Sequence, residues 1–189
     1  MAFNTANISD EQILTLLQNG SHTDVERGLR LMMDKYQERL YWSIRKMVMS
    51  HDDANDILQN CFIKAYRNID SFERKAKLFT WLYRIGINES ITFLNKKKKE
   101  ATASLDDGES GLANNLKSDD YFDGDDAQKR LLKAIETLPE KQKVVFKLRY
   151  YDEMPYEEMS EILETSVGAL KASFHHAVKK VEQELTAGG

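Results

Sequence analysis

The side chains that could carry out catalysis or hold a metal are few and scattered. The four histidines (His22, His51, His175 and His176) lack the spacing of metal ligands, and Cys61 has no second cysteine with which to form a thiolate site. The sequence also lacks a glycine-rich loop of the kind that cradles phosphate groups. We therefore expect no catalytic site, no metal and no cofactor. What remains is binding chemistry, carried by charged, amide and aromatic side chains.

Charged residues are segregated along the chain, although the formal net charge is only -4. Between residues 73 and 99, eight basic side chains oppose two acidic ones, whereas between residues 101 and 126 eight acidic side chains oppose one lysine. Because a phosphate responds to nearby charge, a locally basic surface can bind nucleic acid even on an acidic protein. The pattern indicates separate roles for successive segments.

Helical periodicity predicts the elements that carry these residues. Two prolines and nine glycines leave most of the chain free to form long helices, so the expected fold class is all-α. Ser9 with Gln12, and Thr23 with Glu26, are capping-box patterns that predict the starts of the first two helices. A third helix and a fourth follow, and the fourth runs into the lysines at 96–99.

Composition divides the chain into two small helical domains joined by a flexible acidic linker. We expect the first domain over residues 1–99, the linker over 100–125 and the second domain over 126–189. The linker is rich in Asp, Ser, Gly and Asn and has no sustained apolar stripe. We recognise neither a leader nor an apolar span, and the single cysteine suits a reducing compartment. A cytoplasmic protein without membrane insertion is therefore expected.

The second predicted domain has the spacing of a helix-turn-helix. A short helix begins after Pro155, a break falls at Glu164 to Ser166, and a longer helix begins at Val167. Glu164 stands at a turn position where glycine is frequent. If that position is left-handed, the glutamate costs about 1 kcal/mol relative to glycine.

Two stretches of the chain resemble the extracytoplasmic-function sigma factors of the sigma-70 family. The second conserved region of that family is similar to residues 53–72 (DANDILQNCFIKAYRNIDSF) together with 75–99 (KAKLFTWLYRIGINESITFLNKKKK). The fourth region is similar to residues 138–185, which begin LPEKQKVVFKLRYYDEMPYEEMSEIL. The resemblance implies a promoter-specificity factor that binds core RNA polymerase and recognises the minus-ten and minus-thirty-five elements of promoter DNA.

The resemblance also implies a role for each segment. The third helix docks on the clamp of the polymerase's largest subunit through polar and acidic side chains: Asp53, Asp56, Gln59 and Asn60. The next segment opens and reads the minus-ten element as a single strand, with basic groups for phosphates and rings for bases: Phe72, Arg74, Lys75, Lys77, Phe79, Tyr83, Arg84 and Asn88. The final helix enters the minus-thirty-five major groove with Ser166, Lys171, Ser173, Phe174, His175 and Lys179. Trp81, on the apolar stripe, is expected in the core.

The chain departs from the family pattern in the final helix. A frequent arginine is missing from residues 169–173 (ALKAS), and His176 stands where an arginine is common. We therefore expect a weaker grip on phosphates, or one supplied by Lys179 and Lys180. The resemblance further implies an inhibitory anti-sigma factor as a partner. It also implies that the acidic linker occupies the polymerase's RNA path, whereas a linker that is only a tether remains the alternative.

Without the family resemblance, the residues are also compatible with other classes of protein. An ordinary DNA-binding regulator would use the helix-turn-helix without joining polymerase, and a helical adaptor would bind no DNA. An enzyme is the least supported. The polar side chains of the third helix are, taken by themselves, explained by helix capping and solvation. The N-terminal domain favours the sigma factor, because a regulator normally carries a ligand-binding or dimerisation module there.

Overall fold

Helices build both halves of the chain. The computed structural model describes residues 8–103 and 126–187, and these ranges contain eight α-helices and no strand. In chain order the helices are α1 (Asp10–Asn19), α2 (His22–Val48), α3 (His51–Asn68), α4 (Leu78–Ala103), α5 (Asp126–Glu136), α6 (Glu140–Tyr150), α7 (Tyr156–Leu163) and α8 (Val167–Ala187). The expected all-α class is confirmed. None of the helices in these ranges combines the length and the apolarity needed to span a bilayer.

The start of α1 follows the capping pattern in the sequence. The Gln12 N–H donates to Ser9 Oγ at 3.2 Å, and the Ser9 N–H donates to Gln12 Oε1 at 3.0 Å. Two N–H groups that the first turn leaves without helical partners are thereby satisfied. The helix begins at Asp10, directly after Ser9, as the capping pattern predicts, and it ends at Asn19.

The start of α2 differs from the prediction. Ser21 is the N-cap rather than Thr23, and its partner is Asp24 rather than Glu26. The Asp24 N–H donates to Ser21 Oγ at 3.4 Å, and the Ser21 N–H and hydroxyl both donate to Asp24 Oδ2, at 3.1 and 2.7 Å. With this earlier box α2 begins at His22, so Thr23 and Glu26 lie within the helix.

The chain divides into two compact units, residues 1–96 and 97–189. In the first unit α2 packs against α1 and α3. A side chain at Gly86 of α4 would meet Ile44 of α2 at 3.4 Å and Cys61 of α3 at 3.6 Å, so three helices converge there. Burial raises the pKa of the Cys61 thiol to about 12. Cys61 is therefore a core residue whose thiol stays protonated at neutral pH.

The core of the second unit is built around α8, which packs against α5, α6 and α7. One cluster of buried residues in this core comprises Ala134, Ile135, Leu138, Phe146, Ala177 and Val181. The predicted helix-turn-helix is formed by α7 and α8, and Glu164 between them is left-handed with φ 51°. The division of the chain into domains at 99 and 126 stays a prediction. Helix α4 continues to Ala103, and the rest of the expected linker lies outside the described residues.

A buried ion cluster joins α5 to α6 in the second unit. Glu136 Oε2 lies 2.8 Å from Lys143 Nζ, and Glu136 Oε1 lies 3.2 Å from Lys147 Nζ. The Lys147 side chain is only 2% exposed. Because one carboxylate faces two buried ammonium groups, the attachment of α5 to α6 depends on Glu136.

Candidate functional site: two nucleic-acid surfaces and a polar helix face

Helix α3 presents a polar face opposite its buried one. Asp56, Gln59 and Asn60 are exposed, and Asp53 is half-buried near the N-cap Ser50. Side chains three or four positions apart share a helix face, so these four lie together on the surface. The opposite face of α3 is buried, through Ala54, Ile57, Cys61, Phe62 and Ala65. The structure therefore brings all four predicted polymerase-binding residues onto one side of α3.

Two apolar residues that sequence reasoning missed extend this polar face. Ile63 and Tyr66 are each 47% exposed. Their spacing from Asp56 and Gln59 continues the same row along α3. The sequence signal that could have found them is their position: Ile63 and Tyr66 are large apolar residues of α3 that lie outside the apolar stripe facing the core. An exposed aliphatic and aromatic pair bordered by carboxylates and amides has the composition of a protein-binding surface.

The basic residues before α4 are exposed, but two of them have partners in the first unit. Arg74, itself left-handed with φ 59°, donates from Nη2 to Gln18 Oε1 at 2.9 Å and from Nη1 to the Glu11 carboxylate. Lys75 pairs with the Glu73 carboxylate. Such exposed pairs contribute roughly 0–1 kcal/mol each, so a phosphate can compete for these cations. Lys77, directly before α4, is also exposed.

The aromatic rings of this segment are distributed differently from the prediction. Phe72, Phe79 and Tyr83 are buried, at 7%, 7% and 2% exposure. Trp81 is half-buried and packs beside Phe72, with ring centroids 5.1 Å apart. The three buried rings cannot stack on a base unless they leave the core. Their predicted contact with bases therefore lacks support from the geometry, and Trp81 is closer to the surface than expected.

Helix α4 carries a row of polar side chains on the side of Trp81. Arg84 is half-buried and Asn88 is exposed, and their spacing from Trp81 places all three on one face. Lys77 continues this row at the start of the helix. The structure thus groups one indole ring, two cations and one amide along α4, which is a composition suited to single-stranded nucleic acid.

Arg39 of α2 covers one of the buried rings. Its Cζ lies 3.9 Å from the centroid of Phe79, whose ring also lies 5.6 Å from that of Tyr36 and 5.4 Å from that of Tyr83. The position of Arg39 in the sequence gave no sign of this contact, because it depends on how α2 packs against α4. The guanidinium shields Phe79 from solvent.

The recognition helix α8 exposes most of the residues predicted for it. Ser166 is the residue before the helix, and its Oγ accepts from the Ala169 N–H at 3.3 Å. Lys171, His175 and Lys179 are exposed, and Ser173 is half-buried. A tract of exposed polar and cationic side chains on the second helix of a helix-turn-helix has the form required for the major groove.

Phe174 is the exception on α8. It packs against the buried cluster of the second unit, with its ring stacked on Phe146 at 5.8 Å and edge-on to Tyr156 at 6.5 Å. Because Phe174 is half-buried, with part of its ring turned toward the core, its contact with the groove stays a prediction. The physical reason for the inward packing is the apolar stripe of α8, since Phe174 lies on the same side as Leu170, Ala177 and Val181, all of which are buried.

The geometry defines a class of protein. A helix-turn-helix with an exposed cationic recognition helix is a DNA-binding unit. The first unit adds a basic helix with an accessible indole and, separately, a polar helix face suited to a protein partner. The chain is thus a helical DNA-binding protein with a second, protein-binding function.

Comparison with known proteins identifies the family. Residues 32–100 match the model of "Sigma-70 region 2", and residues 128–181 match that of "Sigma-70, region 4". The ECF RNA polymerase sigma factor SigW of Bacillus subtilis is 32% identical over 162 residues, which cover 82% of this chain and 87% of SigW. The chain belongs to the ECF RNA polymerase sigma factors. It is a promoter-specificity factor that acts in transcription initiation, and sigma factors as a group are non-catalytic.

Solved structures share the fold. The sigma factor RpoE of Bartonella quintana, in complex with the anti-sigma factor NepR, matches with a TM-score of 0.62 and 24% identity over 82% of this chain and 98% of RpoE. CnrH, in complex with the cytosolic domain of CnrY, matches with a TM-score of 0.63 and 18% identity over 94% of this chain and 97% of CnrH. At these identities the likeness concerns the arrangement of helices.

Proposed function

We propose that the work of the sigma factor is divided among three surfaces. The α3 face formed by Asp53, Asp56, Gln59 and Asn60 binds core RNA polymerase. The α4 row reads the melted minus-ten strand, and α8 reads the minus-thirty-five duplex. The observation that carries this proposal is the α3 face, because an ordinary helix-turn-helix regulator has no need of it.

The α3 surface suits the clamp of the polymerase in two respects. Its carboxylates and amides complement basic and hydrogen-bonding groups, which steer association and set orientation. Ile63 and Tyr66 supply apolar area, which contributes roughly 25 cal/mol per Å² removed from water. We therefore include these two residues in the polymerase-binding surface, beside the four that the sequence indicates.

On α4, we assign base stacking to Trp81 rather than to the buried rings Phe72, Phe79 and Tyr83. Stacking of one base on an aromatic ring contributes about 1–3 kcal/mol, and the half-buried indole can reach a base without unfolding the core. Phosphates of the same strand meet the cations before and along α4, namely Arg74, Lys75, Lys77 and Arg84, with Asn88 as a hydrogen-bonding group.

On α8, Ser166, Lys171, His175 and Lys179 are the proposed contacts to the duplex, and Ser173 lies at the edge of the same surface. Few arginines stand on this face, because one that is common in the family is missing from residues 169–173 and His176 stands where another is common. A weak DNA grip fits a factor that acts when both units and the polymerase bind together.

The division of labour is tested by matched charge reversals. Asp56→Lys and Lys171→Glu each change the charge of one exposed side chain by two units, one on α3 and one on α8. We expect Asp56→Lys to weaken association with core polymerase at least tenfold in a pull-down, and Lys171→Glu to leave it unchanged. Lys171→Glu should instead abolish transcription that depends on the minus-thirty-five element. Equal losses of polymerase binding in both variants would refute the proposal.

We further propose that an anti-sigma factor binds and regulates the chain. We also propose that the chain acts in the cytoplasm and has no catalytic activity. In support, RpoE and CnrH, which share its fold, were each solved with a protein partner, in the case of RpoE the anti-sigma factor NepR. The α3 face is a suitable target, because a protein that covers it also blocks the polymerase. Competition between core polymerase and a candidate inhibitor for the chain tests this.

A further inference from the structure

Tyr156, the first residue of α7, touches side chains from the helices on either side of it in sequence. The Cζ of Arg149 on α6 lies 5.1 Å from the centroid of its ring, and the Nζ of Lys171 on α8 lies 5.6 Å from it. The ring of Phe174 meets it edge-on at 6.5 Å. These distances are typical of cation–π and edge-to-face contacts.

The ring is itself held in place. Arg149 Nη1 donates to the carbonyls of Glu153 and Met154, at 3.1 and 3.0 Å, and so fixes the turn that leads into α7. Pro155 precedes the ring with its backbone restricted by the proline ring, at φ -60°. Tyr156 is half-buried, so only part of its surface faces solvent. A fixed aromatic support therefore stands beside the exposed Lys171.

Lysine alone positions its charge poorly, because the ammonium sits on a flexible stem with several rotatable bonds. We propose that Tyr156 is a positioning residue, whose ring holds the Lys171 ammonium where α8 presents it to the minus-thirty-five element. Lys171 then contributes to discrimination between sequences as well as to charge neutralisation. This inference rests on the proposed role of α8 in reading the duplex.

The test compares variants of the full chain assembled with core polymerase. The probes are a promoter fragment selected by the holoenzyme from a genomic library and the same fragment with its upstream element scrambled. Tyr156→Leu should lower the ratio of the two affinities by about two- to fivefold, the range of one exposed cation–π contact. Tyr156→Phe keeps the ring and should retain the wild-type ratio. Tyr150→Leu, which removes an exposed tyrosine of α6, is the matched control and should also retain it.

Salt dependence separates positioning from a general loss of folding or charge. Tyr156→Leu keeps the lysine, so the slope of log affinity against log salt should stay at the wild-type value. Lys171→Ala should lower the magnitude of that slope by about 0.9, the amount expected for one phosphate contact. In the Lys171→Ala background, Tyr156→Leu should have no further effect on the affinity ratio.

Three results would overturn the inference alone: an unchanged ratio in Tyr156→Leu, an equal loss in Tyr156→Phe, or additive losses in the double variant. In each case the wild-type holoenzyme still prefers the intact element. A wild-type holoenzyme that does not distinguish the two fragments would instead overturn the proposed role of α8, and the inference with it.

Discussion

Replacement of Glu136 by Gln should destabilise the second unit strongly. The change removes the carboxylate that lies 2.8 Å from Lys143 and 3.2 Å from Lys147, and keeps the side-chain volume. Glu140, 3.5 Å from Lys143, remains beside that lysine, so the cost falls mainly on Lys147. Loss of one partner from a buried ion pair costs about 3–5 kcal/mol, since the remaining charge stays in a poorly solvated place. Small domains have a total stability of only about 5–15 kcal/mol. We therefore expect a fall in the melting temperature of this unit by about 12 °C or more.

The two tryptophans allow the two units to be followed separately. Trp42 and Trp81 both lie in the first unit, so tryptophan fluorescence reports the unfolding of that unit. Far-ultraviolet circular dichroism reports the helices of both. In Glu136→Gln, the urea midpoint from fluorescence should be unchanged, whereas the dichroism should show early loss of the helices of the second unit.

Lys147→Met is the companion variant. Replacing a buried ion pair by apolar packing is often neutral or stabilising by about 1–4 kcal/mol, and the Lys147 side chain is only 2% exposed. Lys143 still neutralises Glu136 in this variant. If Glu136→Gln proved neutral, or if Lys147→Met were as damaging as Glu136→Gln, the account of this cluster would be wrong.

The pH dependence of the cluster follows from the two shifted groups. Burial by itself raises the pKa of Glu136, but the two lysines outweigh burial and hold that pKa below its ordinary value. The stabilisation is therefore complete above the ordinary carboxyl pKa and is lost as the pH falls through the folded-state pKa. Burial lowers the pKa of Lys147 more than Glu136 raises it. Lys147 therefore binds its proton more tightly in the unfolded chain than in the folded one. As a result, the free energy of unfolding rises as the pH increases from the folded-state pKa of Lys147 toward the ordinary lysine pKa. In Glu136→Gln, the urea midpoint should no longer fall at acidic pH through this cluster, because the titrating carboxyl group is gone. The rise of the midpoint at alkaline pH should become larger, because Lys147 no longer has Glu136 to raise its pKa.

Three further predictions concern the caps, the turn and DNA binding. Ser21→Ala should lower the free energy of unfolding of the first unit by about 1 kcal/mol, measured by fluorescence, because Ser21 caps α2. Thr23→Ala should lower it by less than about 0.5 kcal/mol. A larger loss in Thr23→Ala than in Ser21→Ala would instead support Thr23 as the cap. Glu164→Gly should stabilise the second unit by about 1 kcal/mol, because φ is 51° at this residue, and a loss of stability would show that the glutamate side chain matters more than the strain. In gel shifts the free chain, with net charge -4, should bind promoter duplex far more weakly than the holoenzyme does; equal affinities would contradict this.

Local signals in the sequence were sufficient for much of the fold. The serine and glutamine that begin α1 form a box that only one register allows, and the break at Glu164 to Ser166 separates two clear helical stripes. At α2 the same kind of signal was ambiguous, because two overlapping patterns, Ser21 with Asp24 and Thr23 with Glu26, each satisfy the capping rule. In the structure Ser21 has the extended backbone of an N-cap, with φ -64° and ψ 169°, and Thr23 already lies within the helix.

The parts of the site that sequence could not give depend on packing between helices. Trp81 and Phe79 both look apolar in the sequence, yet α2 covers Phe79 with Arg39 and leaves Trp81 half-buried. Periodicity locates the stripe of α4 but not its edge, where a ring can be core or surface. Lys147 offered a local hint, since it interrupts the apolar run VVFKL. Its partner Glu136 lies on another helix, so the pairing could not be read from spacing.

The most direct test of the central claim is co-elution of the chain with core RNA polymerase from a sizing column at micromolar concentration, without inhibitor. The α3 face, with its exposed Asp56, Gln59, Asn60, Ile63 and Tyr66, predicts a single peak that contains both. The Asp56→Lys variant should elute mostly apart from the polymerase. Separate peaks for the wild-type chain and the core enzyme would contradict the account.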